Sequence, residues 1–293
     1  MKTKLNKKFQ DKLCCPICLS NLEYKSNFSC PNCGAKFFQK NNIWDFRLNP
    51  PKCAYSLDRK FWQHGQENYE YFSQKWRSQD NFDNYLSELR GVREIYEEVF
   101  KLEGEILDIG GNCGTLRYFL KKKEKYLSVD PYLNAFENLG PNYKKVYPCL
   151  NESCNFLTCF GEFLPFKNKS FDWIHLRSVL DHFFDPYLVM KQSYRVLKNN
   201  GKVLIGINTN AKPVLKIDEV SLNKKEQVQA IGKFFINFLK PIATVKFAIK
   251  DHHTFSWSLD DLKILIKSTG FKIEKIHWQK SNPSCAYISL IKG

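Results

Sequence analysis

The stretch EILDIGGNCGTLRYFL, residues 105–120, restricts the fold of this 293-residue chain more than any other. An apolar run ends at Ile106 and Leu107, Asp108 follows, and Gly110, Gly111 and Gly114 mark a turn before TLRYFLKKK. This is the pattern of a buried strand, a tight loop and the start of a helix. In an open parallel sheet, ligands bind in the crevice outside the carboxyl ends of the strands, which is where this loop falls. A second strand pattern, KYLSVDPY, ends in Asp130, 22 residues beyond Asp108. That separation suits one strand–helix–strand unit, so the expected class is α/β with a doubly wound sheet.

Two nucleotide-type ligands compete for such a loop. A dinucleotide favours G-x-G-x-x-G, but counting from Gly110 the second and third glycine positions are Asn112 and Thr115. An aspartate at the loop mouth would also repel a pyrophosphate. S-adenosylmethionine carries no phosphate, and its ammonium group would welcome a carboxylate such as Asp108. Asp130 can accept both ribose hydroxyls of either ligand and does not discriminate.

The front of the chain has a different composition. In CPICLSNLEYKSNFSCPNCG, Cys15 and Cys18 are followed after eleven residues by Cys30 and Cys33. Two C-x-x-C pairs at this spacing form two knuckles that can bring four thiolates into a tetrahedron around Zn2+. Pro16, Pro31 and Gly34 supply the turn chemistry. A closed four-cysteine site leaves no position for substrate, so a structural metal is expected, with redox-active C-x-x-C pairs as the lesser competitor. Cys14 falls outside the C-P-x-C register. Residues 13–47, including the closing IWDF, resemble the small zinc-ribbon family that occurs alone as methyltransferase activators and fused to bacterial methyltransferases.

GEFLPFKNKSFDWIHLRSVLDHFFDP, residues 161–186, and the following VMKQSYRVLKNNGKVLIGI resemble the class I S-adenosylmethionine-dependent methyltransferases. Within that superfamily they are similar to the subgroup containing the ubiquinone and menaquinone methyltransferases. The resemblance spans about residues 85–292. It implies a Rossmann-like methyltransferase sheet closed by an antiparallel edge hairpin, KIEKIHW with CAYISLIK, and preceded by the zinc ribbon. By position it implies that Asp108, Gly110 and Gly114, with Gly111 and Asn112 between them, form the methionine loop. Asp130 would hold the ribose, Gly161 and Glu162 would lie by the adenine, and Arg177 and Ser178 would line the site. Two departures are visible. Asn112 replaces the usual middle glycine, which asparagine tolerates because it visits the left-handed region readily. Phe160 stands where many members have an aspartate, leaving adenine to stacking or backbone contacts.

The expected organisation is a ribbon over residues 1–50, a linker and helical cap over 51–84, and a methyltransferase domain over 85–293 with a substrate-side insert at 209–256. Leu86, Leu89, Val92, Arg93, Tyr96 and Val99 recur at helical spacing and predict an amphipathic helix. The aromatics Tyr69, Tyr71, Phe72 and Trp76 just before it read as a packing face, with a lid over a ligand as the alternative. Ile231, Phe234, Phe235, Phe238 and Leu239 predict a helix in the insert, covering either the core or an apolar substrate. His182, His252 and His253 are the general-base candidates, against the commoner reading of histidines that only pack.

A net charge of +15 invites an RNA partner, but only eight of the 45 basic residues are arginines and the lysines are scattered. Planar phosphate recognition favours arginine, so a solvated lysine-rich surface is the first reading. No apolar leader begins the chain, and FFINFLKPIATVKFAI is too interrupted to span a bilayer. Together with metal-type cysteines, this places the protein in the cytoplasm as an expectation. A small-molecule, sugar or lipid-linked methyl acceptor is the leading reading. The alternatives are an RNA methyltransferase that uses ribbon and lysines, and a non-catalytic protein that binds the cofactor and uses the ribbon to dock a protein partner.

Overall fold

The computed structural model describes residues 3–48, 59–209 and 253–293. The helix expected at 231–239, most of the 209–256 insert, and His252 lie outside the described residues.

Two sheets organise the chain. The larger contains eight strands: β1 (Thr3–Lys4), β6 (Ile106–Ile109), β7 (Tyr126–Val129), β8 (Cys154–Leu157), β9 (Phe171–Arg177), β10 (Leu197–Asn208), β11 (Phe271–Trp278) and β12 (Cys285–Lys292). Their order is β1-β8-β7-β6-β9-β10-β12-β11. Neighbours run parallel from β1 to β10, and β12 pairs antiparallel with both β10 and β11, giving the expected edge hairpin. The smaller sheet holds β2 (Glu23–Tyr24), β3 (Phe28–Ser29), β4 (Lys36–Lys40) and β5 (Ile43–Asp45) in sequence order.

The strands β6, β7 and β8 are buried at every position, as short apolar strands covered on both faces should be. The covering helices include α2 (Arg59–Ser78), α3 (Phe82–Glu94), α4 (Pro141–Val146), α5 (Pro186–Val196) and α6 (Leu259–Ser268), after a one-turn α1 (Lys7–Gln10). Leu89 and Val92 of α3, with Tyr96 of the π-helical turn that continues it, are buried as their spacing predicts, Leu86 and Val99 are half-buried, and Arg93 of the same expected face is exposed. Ser258 caps α6: its side chain accepts from the Asp261 amide, and Asp261 returns a bond to the Ser258 amide. This reciprocal pair satisfies two otherwise orphaned donors.

Two features depart from the patterns. After the glycine loop the chain makes only a five-residue 3₁₀ turn, Thr115–Phe119. Arg117 in it is buried, and its guanidinium donates to the carbonyls of Cys113, Gly114, Glu152 and Ser153. The segment KKKEK that follows places like charges one turn apart, which disfavours further helix. The second feature is the N-terminus. Thr3 and Lys4 extend the large sheet beside β8, and Phe9 is fully buried with its ring stacked 6.4 Å from Phe171. Lys8 and Lys12 both pair with Glu105, at 2.7 and 2.9 Å. The residues ahead of the first cysteine therefore pack on the large sheet, and Phe28, Phe37 and Phe46 of the ribbon share one apolar cluster with Leu107 and Ile109.

Removing a fully buried aromatic ring leaves a cavity and costs about 3 to 5 kcal/mol. Phe9→Ala is accordingly expected to lower the denaturant midpoint of the whole chain in a single transition. An unchanged midpoint would show that the N-terminal segment contributes nothing to the sheet.

Candidate active site

The candidate cleft lies over the carboxyl ends of β6, β7 and β9. Gly110, Asn112 and Gly114 take positive φ values of 71, 48 and 77°, so the asparagine occupies the left-handed region as expected. Gly110 permits close packing: a Cβ there would lie 2.5 Å from a Val179 methyl carbon. Gly111 does the same beneath the loop, where a Cβ would lie 2.5 Å from the Asp108 carboxyl carbon.

Asp108 is buried under the loop rather than standing free at its mouth. Its Oδ2 accepts from Tyr126 Oη at 2.5 Å, and its Oδ1 lies 2.7 Å from His175 Nδ1. An ionised carboxylate only accepts, so Nδ1 carries the proton, and Nε2 of a neutral ring then accepts from Tyr96 Oη at 2.9 Å. Asp130 is also buried. Its two oxygens accept from the Asn112 amide at 3.0 Å and the Tyr132 amide at 2.9 Å. Burial pushes its carboxyl up to about 6, against the lowering effect of those two amides.

Helix α2 closes the cleft. Trp62, Gln66, Tyr69, Ser73, Trp76 and Arg77 follow i, i+4, i+7, i+11 and i+14/i+15 spacing, one face of a helix. Tyr69 and Gly110 line both halves of the space beneath. The first half is walled by Asp130, Pro131, Phe160, Gly161, Glu162 and His182. The second, a cavity of about 180 Å3, is walled by Asp108, Gly111, Asn112, Arg77, Glu88 and Arg177 among others. Trp62 packs edge-on to Phe160 at 5.5 Å. Tyr69 and Trp76 thus line the cleft, Trp76 with part of its ring exposed, whereas Tyr71 and Phe72 do not line it and are exposed.

Glu162 accepts from the amides of Phe184 and Asp185 at 2.8 and 3.1 Å, and burial raises its carboxyl to about 7. Its other oxygen is buried with no hydrogen-bond partner. Arg177 is held by Glu88 at 3.2 Å and Tyr287 Oη at 3.1 Å. Ser178 takes φ 52° and donates its amide to Gly206.

Of the histidine candidates, His182 and His253 come together. Their rings are 4.7 Å apart, and Asp181 lies 3.8 Å from His182 Nε2 and 3.5 Å from His253 Nε2. The His182 carbonyl accepts from Trp62 Nε1 at 2.8 Å and Gln66 Nε2 at 2.9 Å. Asp181, adjacent to a named candidate, was readable from sequence but carried no signal of its own. The face of α2 did carry one, in the spacing of Trp62, Gln66 and Tyr69.

In the ribbon, Cys15, Cys18, Cys30 and Cys33 converge with all four sulfurs within 4.8 Å, and Cys14 stands outside the cluster. The pairs Cys15–Cys33 and Cys18–Cys30 are 3.6 and 3.4 Å apart and are not bonded as disulfides. A tetrahedron with metal–sulfur bonds of about 2.3 Å calls for sulfurs about 3.8 Å apart, so this set fits zinc.

Against this geometry, residues 107–205 match the family model described as a methyltransferase domain. A ubiquinone/menaquinone biosynthesis C-methyltransferase of Rickettsia typhi is 26% identical over 191 residues, covering 64% of this chain and 75% of that protein. The PH0226 protein of Pyrococcus horikoshii superposes with a TM-score of 0.51 at 18% identity, covering 74% of this chain and 95% of that one. An S-adenosylmethionine-dependent methyltransferase of Leishmania major gives a TM-score of 0.52 at 13% identity, covering 83% and 87%. The fold is the Rossmann-like methyltransferase fold. Residues 107–205 are thus similar to a methyltransferase domain, and the Leishmania neighbour depends on S-adenosylmethionine. The buried acids, the tight loop and the divided cavity are compatible with that cofactor: Glu162 retains an unused buried oxygen in the first half of the cleft, and the second half is lined by Asp108, Asn112, Arg77 and Arg177.

A carboxylate accepts ribose hydroxyls only when ionised, and that of Asp130 titrates at about 6 before ligand arrives. Affinity for S-adenosylhomocysteine is therefore expected to rise from pH 5 to 7 and level off above, as read by calorimetry. Asp130→Asn should flatten that rise, and a variant retaining the full pH response would remove Asp130 from the site.

Proposed function

We propose that the protein transfers a methyl group from S-adenosylmethionine to a small-molecule or lipid-linked acceptor, and that its four-cysteine cluster holds a structural zinc ion. The observation that carries the first part is the covered cleft: α2 roofs the crevice with Trp62, Tyr69 and Trp76, leaving narrow cavities. Such a space suits a compact acceptor better than a folded nucleic acid. The Rickettsia relative acts in ubiquinone and menaquinone biosynthesis, which supports a lipid-linked acceptor of quinone type.

When bound, the cofactor would supply an activated methyl group for in-line attack by an acceptor nucleophile, with S-adenosylhomocysteine as the leaving group. The chain's own residues align the partners and exclude water. Asp130 would accept from the ribose hydroxyls, Phe160 and Trp62 would provide aromatic surface for the adenine, and Tyr69 lines both halves of the cleft. Alignment alone is worth about 7 to 11 kcal/mol where the reacting atoms are well oriented. His182 and His253, with Asp181 beside both, are the candidates to take a proton from the acceptor at an imidazole nitrogen. Such a step contributes about 10²- to 10⁴-fold.

The acceptor class is decided by supplying methyl-labelled donor to cell extract fractions, before and after nuclease treatment. Label is expected in an organic-soluble product that survives nuclease, and Asp130→Ala should reduce it by more than about tenfold. Label that disappears with nuclease would replace the small-acceptor reading with an RNA one.

For the ribbon, metal analysis should find one zinc per chain, lost in Cys30→Ser. Structural zinc in finger-sized units is worth about 10 to 16 kcal/mol. Removing it is expected to unfold β2–β5 and expose Phe28 and Phe37, seen as dye binding to apolar surface. A folded, metal-free ribbon would overturn the zinc assignment.

A further inference from the structure

Two imidazoles and one carboxylate converge from segments far apart in the chain. Asp181 and His182 stand in the turn after β9, and His253 comes from the segment before α6. Backbone bonds staple the two segments: the amides of Thr254 and Phe255 donate to the Asp181 carbonyl at 2.7 and 3.0 Å. His182 is buried, and Asp181 and His253 are half-buried. The two rings pack 4.7 Å apart, and each turns its Nε2 toward the same carboxylate.

The separations suit a shared cation better than hydrogen bonds. His182 Nε2 lies 3.8 Å from Asp181 Oδ1, and His253 Nε2 lies 3.5 Å from Asp181 Oδ2. A charge-assisted hydrogen bond would close to about 2.7 to 2.9 Å. Ligand atoms bound to one cation at about 2.1 Å are instead held about 3.0 to 3.4 Å apart, at octahedral or tetrahedral angles. One ligand atom from each of the three residues falls within 4.8 Å of the others. Asp181 Oδ1 is also buried with no hydrogen-bond partner, a costly state for a carboxylate oxygen that a cation relieves.

We propose that Asp181, His182 and His253 hold a divalent first-row transition-metal ion, separate from the zinc of the ribbon. The donor set selects the class: imidazole nitrogens suit zinc, iron, cobalt or nickel, whereas magnesium and calcium take oxygen ligands. Three protein ligands, unlike four thiolates, leave a position open for substrate. This site is therefore weaker than the ribbon's and fills only when metal is supplied. His182 also lines the first half of the cleft. If the cleft is a methyl-transfer site, on which this step rests, the open position takes an acceptor that carries a hydroxyl or carbonyl oxygen. A nitrogen that binds the cation cannot take a proton, so metal binding replaces the general-base role of that nitrogen.

The test titrates cobalt(II) into the full-length chain carrying its ribbon zinc. Wild type is expected to take up one further equivalent, with the weak visible bands of nitrogen- and oxygen-ligated cobalt and no thiolate charge-transfer band. His253→Ala should weaken that equivalent by more than about 100-fold and Asp181→Asn by more than about tenfold, since outer-shell changes alone cost 10- to 100-fold. Both variants should keep the ribbon zinc, which reports that they are folded. Zinc should displace the cobalt, and excess magnesium should not.

No further equivalent in wild type, an equivalent unchanged in both variants, or its displacement by magnesium would overturn the site. Should one variant fold poorly, the other decides. S-adenosylhomocysteine is titrated alongside: cobalt uptake without binding of that product keeps the metal site and sinks the cleft reading, and the converse sinks the metal site alone.

Discussion

The cleft depends on one buried carboxylate. Asp130 ends β7, and its two oxygens take the amide of Asn112 from the loop after β6 and the amide of Tyr132 from its own loop. Parallel strands bring those loops side by side, but nothing in the ladder dictates their shape beyond the last paired residue. The carboxylate does so, by satisfying amides that would otherwise be buried without partners. Burial pushes its own carboxyl up to about 6, so the ionised form depends on the amides that it orders. Loop shape and charge are set together, and the left-handed Asn112 is the conformation that aims its amide at the acid.

The same contact chain reaches the ribbon. The Asp130 amide donates to the Leu157 carbonyl at the end of β8, and the next residue, Thr158, exchanges backbone bonds with Trp44 and Phe46 beside β5. Arg47 grips Asp45 through two nitrogens and donates from a third to the Pro131 carbonyl. Burial would raise the Asp45 carboxyl, but Arg47 and Lys40 hold it well below the usual carboxylate range. The last strand of the four-cysteine unit is therefore fastened to the loop that follows Asp130. Whatever orders the cysteine knuckles also steadies one wall of the cleft, a closer relation than a tethered module would have.

Features that rest on local spacing were readable from the chain. The glycine loop between an apolar run and a second acid, the paired C-x-x-C knuckles, the helical periodicity from Leu86 to Val99 and the terminal hairpin all lie within short windows. What escaped depends on tertiary contact. Tyr126 and His175 meet Asp108 only because β7 and β9 flank β6, and neither residue stands out within its strand. β1 is two residues long in a lysine-rich start and becomes a strand because β8 offers it an edge. The helix expected after Gly114 shrinks to a 3₁₀ turn where Arg117 is drawn inward by four carbonyls, a demand invisible in an amphipathic pattern. The aromatic run of α2 pointed both ways because it serves both: one face roofs the cleft, and Tyr71 lies on the other, toward solvent.

The roof and the candidate base are mechanically one unit. Trp62 and Gln66 donate to a single carbonyl, that of His182, while Tyr69 packs its ring 4.9 Å from the imidazole of the same residue. The His182 ring in turn packs on His253, and the Asp181 carbonyl accepts from the amides of Thr254 and Phe255. Helix α2 can lift from the crevice only by giving up both hydrogen bonds to that carbonyl and the ring contact beside it. Opening the cleft therefore releases the Asp181–His182–His253 group from its bracing, and closing it restores the bracing. The link runs through His182 alone: His253 and Asp181 reach α2 only by way of their contacts with that residue.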